Sequence, residues 1–589
     1  MARKIVAATP ARVVFEAGLA ELGGALDTLD VRVRRGDSPG ARTAFEGARG
    51  AYKRVEGLLL YYGPGEATAL NGPVDDEGDD AVPMPLGSPA AFQRVEDAVF
   101  TGDLARDSVR MATAHTVDGM REIVGKFATM TRYLNVGDIP TLEAARLELA
   151  RVTTLDLAGF DSERDSDAVR EGAEALEGLR RQVQQPDVDS ALGRAVEYLR
   201  HNADFDRMDR LTFIAAYEGP AARAIQRART VAQPNPPPVR RTWRDRAASL
   251  FDSDAFDPTA YGVSYATTPR PSVVALGAKL FVEPRLSGTG TRSCAFCHEP
   301  NKAFTDGRVK RSALEADYQP SARETPARNV PTLLNSALQR TLFADGRAAS
   351  LEEQVGDVLR SRSEMHSSAE LAADRLQGDT TYQTAFAGAF DVTGGQAVNG
   401  ERVRIALAAY VRTLTTMNSR FDFAARGDTA ALTAAERRGF TTFMGKGRCG
   451  SCHFAPLFNG TMPPAFTTSE PEIIGVPERP ALRHARIDPD PGRAGIDQVK
   501  FHRYAFKVPT VRNVELTAPY MHNGAYATLE QVVDFYNAGG GVGVGTGIPY
   551  QTLPTRALHL TRGERADLIA FLRALTDTTL ANTTVYARR

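Results

Sequence analysis

The sequence contains little cysteine, tryptophan or histidine, with 4, 1 and 9 of these residues among 589. It also lacks any apolar run of about eighteen residues, so no transmembrane helix is expected. The 71 basic and 72 acidic residues leave a formal net charge of −1, a balance that gives no indication of a nucleic-acid or membrane-surface partner. The length, with 42% hydrophobic and 24% charged residues, is typical of a globular protein of several domains.

All four cysteines fall in two copies of one short motif, so none remains for a disulfide bond. Residues Cys294–His298 and Cys449–His453 both read C-x-x-C-H, the signature of covalent c-type haem attachment. Two thiols bind the vinyl groups of one porphyrin, and the histidine that follows ligates the iron. A zinc half-site or a redox dithiol would account for one C-x-x-C. Two copies, each followed at once by histidine, predict two covalently bound haem c groups.

Covalent haem attachment also predicts where the protein resides. The N-terminal residues Met1–Ala8 contain too short an apolar run for a signal peptide. Because bacteria attach haem c outside the cytoplasmic membrane, we expect a periplasmic or surface-tethered protein from which a native export signal has been trimmed.

Residues 1–232 are predicted to form a helical bundle domain, because apolar residues recur there at helical spacing. Within it, residues 41–73 resemble the imelysin-like helical extension that precedes some haem peroxidases; the alternative is a helical scaffold without chemistry. His115 and His201 are interpreted as polar surface residues. A stiff proline-rich linker and arm, 233–271, follows. The predicted helical runs are Ala11–Val33, Ala41–Tyr62, Pro89–Phe100, Asp107–Leu134, Leu142–Leu157, Asp167–Val183, Ala191–His201 and Leu211–Val231.

From residue 272 the chain repeats itself, which predicts two cytochrome c-like haem domains, 272–425 and 426–589. The expected fold is therefore mainly α: an N-terminal helical bundle followed by two haem domains. The matching pairs are Leu276–Phe281 with Arg438–Phe443, Val330–Asn335 with Val508–Asn513, Asp345–Gln354 with Asn523–Gln531, and Ala406–Leu414 with Asp567–Leu575.

The repeat distinguishes the two haems. Counting from the shared Leu351 and Leu529, Tyr536 of the second unit falls opposite Val358 of the first. Valine cannot ligate iron, whereas a tyrosine phenolate can. The first haem is therefore predicted to keep an open face, and the second to be ligated on both faces. Met521 and His522 remain alternatives to Tyr536 as the second ligand.

Residues 272–577 resemble the bacterial dihaem cytochrome c peroxidase / MauG superfamily. In that family the N-terminal haem reacts with peroxide, in agreement with the open face. The resemblance implies that Gln354 orients peroxide and that Glu364 transfers its proton; whether His366 lines the same pocket is left open. It also implies one calcium ion. The stretches that carry the resemblance are the two haem motifs, Leu286–Cys294, Arg328–Thr332, Asp345–Arg347 and Thr517–Gly524, and the calcium ligands fall on the Asn329 side chain and the carbonyls of Thr517 and Pro519.

Three features depart from the family pattern. The histidine that caps the reactive haem of many cytochrome c peroxidases is missing, which predicts that no reductive activation is needed. Tyr536 takes the place of the usual methionine, as tyrosine does in MauG. Ala344, next to Phe343, replaces the tryptophan that bridges the two haems in both subfamilies, so electron sharing through that indole is excluded.

The expected function is that of a dihaem peroxidase. Hydrogen peroxide is reduced to water at the N-terminal haem, with electrons relayed through the C-terminal haem from a small cytochrome c, a cupredoxin or a quinol-linked donor. One alternative is a MauG-like oxidase that uses the oxidising equivalents of peroxide on a protein substrate. Another is a non-enzymatic electron carrier. The oligomeric state is left open, with a homodimer as one alternative.

Overall fold

A computed structural model describes residues 9–72, 91–160, 167–237, 239–263, 270–307, 328–392, 397–469 and 471–579. The architecture of these residues is mainly α, which confirms the predicted fold class. None of the described helices is both long and apolar enough to cross a membrane. Pro89, Pro238 and residues 264–269, which the sequence assigns to a helix, the linker and the arm, lie outside these ranges.

The helices of the N-terminal unit begin where the sequence provides caps. Thr9 accepts a hydrogen bond from the Arg12 amide at 3.2 Å, and Asp37 accepts one from the Gly40 amide at 3.0 Å. The sequence did not predict the short α3. The helices are α1 (Pro10–Arg34), α2 (Ser38–Tyr62), α3 (Pro64–Asn71), α4 (Ala91–Phe100), α5 (Asp107–Met130), α6 (Asp138–Thr154), α7 (Ala168–Gln182), α8 (Pro186–His201), α9 (Arg210–Phe213) and α10 (Gly219–Ala232).

Two predicted helical runs differ in detail from the structure. Helix α8 begins at Pro186 rather than at the first apolar repeat, because proline is well suited to the first helical turn. The run predicted over Leu211–Val231 is divided by a π-helical turn, Ile214–Glu218, between α9 and α10. His115 and His201 are exposed, as predicted.

A buried ionic network ties α2 to α6. The Lys53 ammonium lies 3.1 Å from Glu56 and 3.2 Å from Asp156. The Arg151 guanidinium lies 2.9 Å from Glu148 and also pairs with Glu56. Because removal of one partner from such a network would leave a buried charge uncompensated, these contacts fix how the helices pack.

The C-terminal half contains the two haem motifs and one small antiparallel sheet, in which Glu472 pairs with Phe506. The elements that carry the first motif are α11 (Pro271–Phe281), α12 (Cys294–Cys297), α13 (Leu351–Arg360), α14 (Ala369–Gln377), α15 (Thr380–Phe390), α16 (Gly400–Arg412) and α17 (Arg420–Ala425). Those that follow are α18 (Ala434–Met444), β1 (Pro471–Ile473), α19 (Ala494–Asp497), β2 (Ala505–Lys507), α20 (Leu529–Asn537), α21 (Gly540–Val544) and α22 (Arg562–Ala574).

The internal repeat is visible in how the helices cross. In the first unit α11 crosses α16 at Gly277, where an added Cβ would lie 2.7 Å from the Ala406 carbonyl carbon. In the second unit α18 crosses α22 at Gly439, where a Cβ would lie 2.6 Å from the Asp567 carbonyl carbon. These are the positions that the sequence alignment of the two units equates. Glycine at each crossing lets the two backbones approach closely.

Two asparagines show the same correspondence. Asn335 and Asn513 both have a left-handed backbone, with φ of 58°. The side-chain oxygen of Asn335 accepts a hydrogen bond from the Thr416 amide at 2.7 Å, and that of Asn513 accepts one from the Asp577 amide at 2.8 Å. Each asparagine therefore holds the chain just after one of two equivalent helices, α16 in the first unit and α22 in the second.

The N-terminal unit packs on the second haem motif. The Phe160 and Phe454 rings lie 5.4 Å apart, edge to face, and the Arg448 guanidinium lies 4.7 Å from the Phe205 ring centroid. Buried residues of α6, α9 and the arm share one hydrophobic core with α18 and α22. The N-terminal unit therefore covers one side of the attachment loop.

Candidate active site

One cavity of about 1560 Å³ reaches both C-x-x-C-H motifs. Its volume exceeds the ~300–1,000 Å³ typical of a pocket for one small ligand. All six motif residues line it: Cys294, Cys297, His298, Cys449, Cys452 and His453. The cavity therefore has the size and the donor set for two large prosthetic groups.

The first motif forms a single helical turn, α12. The His298 Nδ1 atom lies 2.9 Å from the Phe304 carbonyl oxygen. With Nδ1 donating to that carbonyl, Nε2 becomes the nitrogen that can ligate a metal. Burial raises the pKa of the Cys294 thiol to about 12, so the thiol is protonated at neutral pH before thioether formation.

The second motif has the same arrangement. The His453 Nδ1 atom lies 3.0 Å from the Pro509 carbonyl oxygen. Burial lowers the pKa of His453 to about 4, which keeps the imidazole neutral, the form that binds a metal. Burial also raises the pKa of the Cys449 thiol to about 12. Both motifs therefore fit covalent haem c.

On the first side, one face of α13 forms part of the cavity wall. Gln354 and Val358, one helical turn apart, both line the cavity. Glu364 lines it from the loop that follows α13, and the Arg292 guanidinium donates to the Glu364 carbonyl oxygen at 3.2 Å. The structure thus places Gln354 and Glu364 in the cavity wall, with no ligating side chain at 358.

His366 is the residue that sequence reasoning left open. It is exposed and does not line the cavity. Its backbone has φ of 47°, and the amide of Gly288 donates to the neighbouring Met365 carbonyl at 2.8 Å. Glu364 and Met365 line the cavity, whereas His366, the next residue in this turn, does not.

On the second side, α20 brings Tyr536 to the cavity wall. Burial raises the pKa of the Tyr536 phenol well above its ordinary value, so a phenolate in this place requires a bound cation. Met521 also lines the cavity. His522 is engaged elsewhere: its ring stacks on Phe506 at 3.8 Å, and its Nε2 lies 3.3 Å from Asp488. These contacts disfavour His522 as an iron ligand.

Two of the three expected calcium ligands, Asn329 and Pro519, are in contact. The Asn329 side-chain amide donates to the Pro519 carbonyl oxygen at 2.6 Å, and Asn329, Thr517 and Pro519 all line the cavity. If the Asn329 side-chain amide is flipped, so that its nitrogen and oxygen exchange places, the oxygen faces the Pro519 carbonyl oxygen. Two oxygens facing each other would then favour a cation between them.

Part of the cavity wall is formed by strand β2, whose Phe506 and Lys507 sequence reasoning missed. Phe343 and Ala344 line the cavity, as do Phe506 and Lys507 of β2. The Lys507 amide donates to the Ala344 carbonyl at 2.8 Å. Their position in the sequence could have indicated them, since Phe506 and Lys507 come directly before the repeated Val508-Pro509.

Comparison with known proteins gives consistent results. The family model described as "Di-haem cytochrome c peroxidase" matches residues 271–430. "Cytochrome-c peroxidase IdrP2" of Denitromonas iodatirespirans is 36% identical over 317 residues, which cover 51% of this chain and 81% of that protein. "Methylamine utilization protein MauG" of Methylorubrum extorquens is 34% identical over 305 residues, covering 52% and 78%. A solved MauG-like protein associated with microbial copper homeostasis is 30% identical, with a TM-score of 0.46 and coverage of 55% and 95%.

Proposed function

Since the chain belongs to the di-haem cytochrome c peroxidase family, it is an oxidoreductase with haem c cofactors, and we propose that it is a periplasmic dihaem peroxidase. It reduces hydrogen peroxide to water at the haem held by Cys294, Cys297 and His298. The electrons reach that haem through the second, held by Cys449, Cys452 and His453. Bound haem would supply the transfer of electrons to peroxide, and side chains of the protein would bind the peroxide and move its proton.

The observation that carries this proposal is the asymmetry between the two halves of the cavity. Val358 offers no ligating atom to the first haem, whereas Tyr536 at the equivalent place offers a phenol oxygen to the second. A haem that keeps an open face can bind peroxide, and a haem ligated on both faces passes electrons. Met521 is the alternative second ligand.

Glu364 and Gln354 are proposed to act on the bound peroxide. The Glu364 carboxylate takes the proton from one peroxide oxygen and delivers it to the other, which leaves as water. The Gln354 amide holds the peroxide by hydrogen bonds so that this transfer has a short path. Arg292, through its hydrogen bond to the Glu364 carbonyl, fixes the loop that carries the carboxylate.

The route for electrons between the haems cannot use the tryptophan that the family has before Asp345. We propose that it crosses the wall formed by Ala344 and by the stacked rings of Phe506 and His522. The hydrogen bond between Lys507 and Ala344 holds the two parts of this wall together. The donor is proposed to be a small cytochrome c, a cupredoxin or a quinol-linked protein. A calcium ion bound by Asn329, Thr517 and Pro519 would stabilise the segment that carries Met521 and His522.

The test is the rate of peroxide consumption with a reduced cytochrome c as donor. Replacement of Glu364 by glutamine keeps the side-chain size and removes the proton acceptor, so the rate should fall by about 10²–10⁴-fold. Glu401→Gln, on the exposed first turn of α16, is the matched control and should leave the rate unchanged. A Glu364→Gln variant as fast as wild type would exclude the proposed proton transfer.

A MauG-like oxidase is the second candidate, and a tyrosine at the ligand position favours it. The missing tryptophan at 344 opposes it. If peroxide is consumed only when a protein substrate is present, and reduced cytochrome c has no effect, the oxidase is the correct function. If the purified holoprotein consumes no peroxide under either condition, it is an electron carrier.

A further inference from the structure

Lys507 is a charged residue in the wall of the dihaem cavity. It ends strand β2 and lines the cavity near both haem motifs. Its backbone amide donates to the Ala344 carbonyl at 2.8 Å, and its ammonium donates to the side-chain oxygen of Gln339 at 2.6 Å. Gln339 is buried. The lysine is therefore held at both its backbone and its tip by residues from the first haem unit.

Among the residues that the structure describes, the Lys507 ammonium has no acidic partner. Within the described ranges, no carboxylate lies within 4.0 Å of its nitrogen, whereas two arginines in the same wall are paired. Arg328 lies 2.6 Å from Asp490, and Arg347 lies 2.7 Å from Asp345. An ammonium has three N–H groups, and the contact with Gln339 uses one of them. Burial lowers the pKa of Lys507 to about 8, with no charged group opposing the shift.

Lys507 is half-buried, and a prosthetic group that fills the cavity would enclose its ammonium. An enclosed cation without a counter-charge is costly, and proteins rarely keep one unless an anion is supplied. Each haem c carries two propionate carboxylates, which are the only anions that the proposed cofactors bring into this cavity. The position of Lys507 favours the second haem, because Pro509, two residues on, accepts the hydrogen bond of His453 at 3.0 Å. We infer that the Lys507 ammonium binds a propionate of the second haem and so positions that haem.

This inference rests on the proposed placement of the second haem, and it has an electrochemical consequence. An ammonium close to a propionate neutralises its negative charge and favours the reduced, less positive iron. Without the ammonium, the unpaired propionate would favour the oxidised state. The second haem of a variant that lacks the charge should therefore have a lower midpoint potential.

The experiment is a spectroelectrochemical titration of the purified holoprotein, in which the two haems are resolved by their absorption spectra. Lys507→Gln keeps a hydrogen-bond donor for Gln339 and removes the charge, so the midpoint potential of the second haem should fall. Lys507→Arg keeps the charge and should stay near wild type. The matched control, Lys500→Gln, removes an exposed lysine of the same unit, whose charge is screened by water and salt; it should leave the potential unchanged.

Haem content, measured as the pyridine haemochrome, separates the possible failures. Two haems per chain with an unshifted potential in Lys507→Gln would refute the propionate contact alone. A shift confined to the first haem would refute the assignment to the second. Fewer than two haems in the wild-type chain would refute the placement of the haems and with it the proposed function. If Lys507→Gln does not fold, Lys507→Met gives the same charge removal and must lower the potential.

Discussion

The contact between α11 and α16 should not accept even one added methyl group. At Gly277 an alanine Cβ would lie 2.7 Å from the carbonyl carbon of Ala406 and 2.9 Å from Cβ of Tyr410, whereas ordinary contacts begin at 3.4 Å. The Ala406 carbonyl oxygen would lie closer still, so the helices would have to separate by more than 0.7 Å, the difference between 3.4 and 2.7 Å for the carbonyl carbon. Such overpacking costs about 1–3 kcal/mol. Separating the helices would also widen the cavity, because Phe281 of α11 and Leu407 of α16 line it.

A control in the same unit isolates the steric cost. Gly388 lies in α15, and an added Cβ there would meet nothing within 4 Å. Gly388→Ala should therefore stabilise the protein by about 0.5–1 kcal/mol, the helix propensity gained when alanine replaces glycine. Gly277→Ala gains the same propensity, so the difference between the two variants is the cost of the clash, about 1–3 kcal/mol.

The assay is urea denaturation of the holoprotein, followed by far-ultraviolet circular dichroism and by haem absorption. Gly439→Ala should repeat the effect in the second unit, where the added Cβ would lie 2.6 Å from the Asp567 carbonyl carbon. If Gly277→Ala were as stable as Gly388→Ala, the close approach of the two helices would be refuted.

Two further predictions concern the second unit. Tyr536→Phe should convert the low-spin signal of the second haem in the ferric EPR spectrum to a high-spin signal, since the phenol oxygen is lost; an unchanged spectrum would assign the ligand to Met521. Arg512→Met should destabilise the protein by about 3–5 kcal/mol at pH 7, because it leaves the buried Asp422 carboxylate, 2.7 Å from the guanidinium in the wild type, without its partner. Burial alone would raise the pKa of Asp422, but Arg512 holds it below its usual value, so the wild-type pair is lost only as the pH falls below about 4. In Arg512→Met the carboxylate titrates at a higher pH, so the variant should lose less unfolding free energy relative to wild type at pH 5 than at pH 7. Urea denaturation at both pH values measures this loss. An equal loss at both would contradict this reasoning.

Much of the candidate site could be predicted from sequence because its signals are local. The spacing within C-x-x-C-H suits one porphyrin whatever the surrounding fold. The two haem units could be aligned because Ser350 and Thr528 both cap the helix that follows them, accepting from the amides of Glu353 and Gln531 at 3.2 and 3.3 Å. With the starts of α13 and α20 fixed, helical geometry places Val358 and Tyr536 at equivalent positions.

Other features escaped prediction because they depend on partners distant in sequence. Whether His366 faced the cavity could not be decided, since its orientation depends on a backbone turn in which His366 has a positive φ. Lys507 gave no signal as a charged residue of interest, because one lysine among the 71 basic residues is most often solvated. Only the structure shows that β2 brings it to the cavity wall, where no described residue serves as its acidic partner.

By itself, the sequence determined the mainly α fold, and it predicted the two haem attachment sites and the difference between the two units. These follow from residue spacing and helical period, which act over a few residues. Tertiary structure decided that both motifs open into one cavity and that the N-terminal unit covers the second attachment loop. It also decided that Lys507 lines this cavity with no counter-charge among the described residues. Each of these features depends on which surfaces pack together. That packing depends on the shape and burial of side chains that are far apart in the sequence.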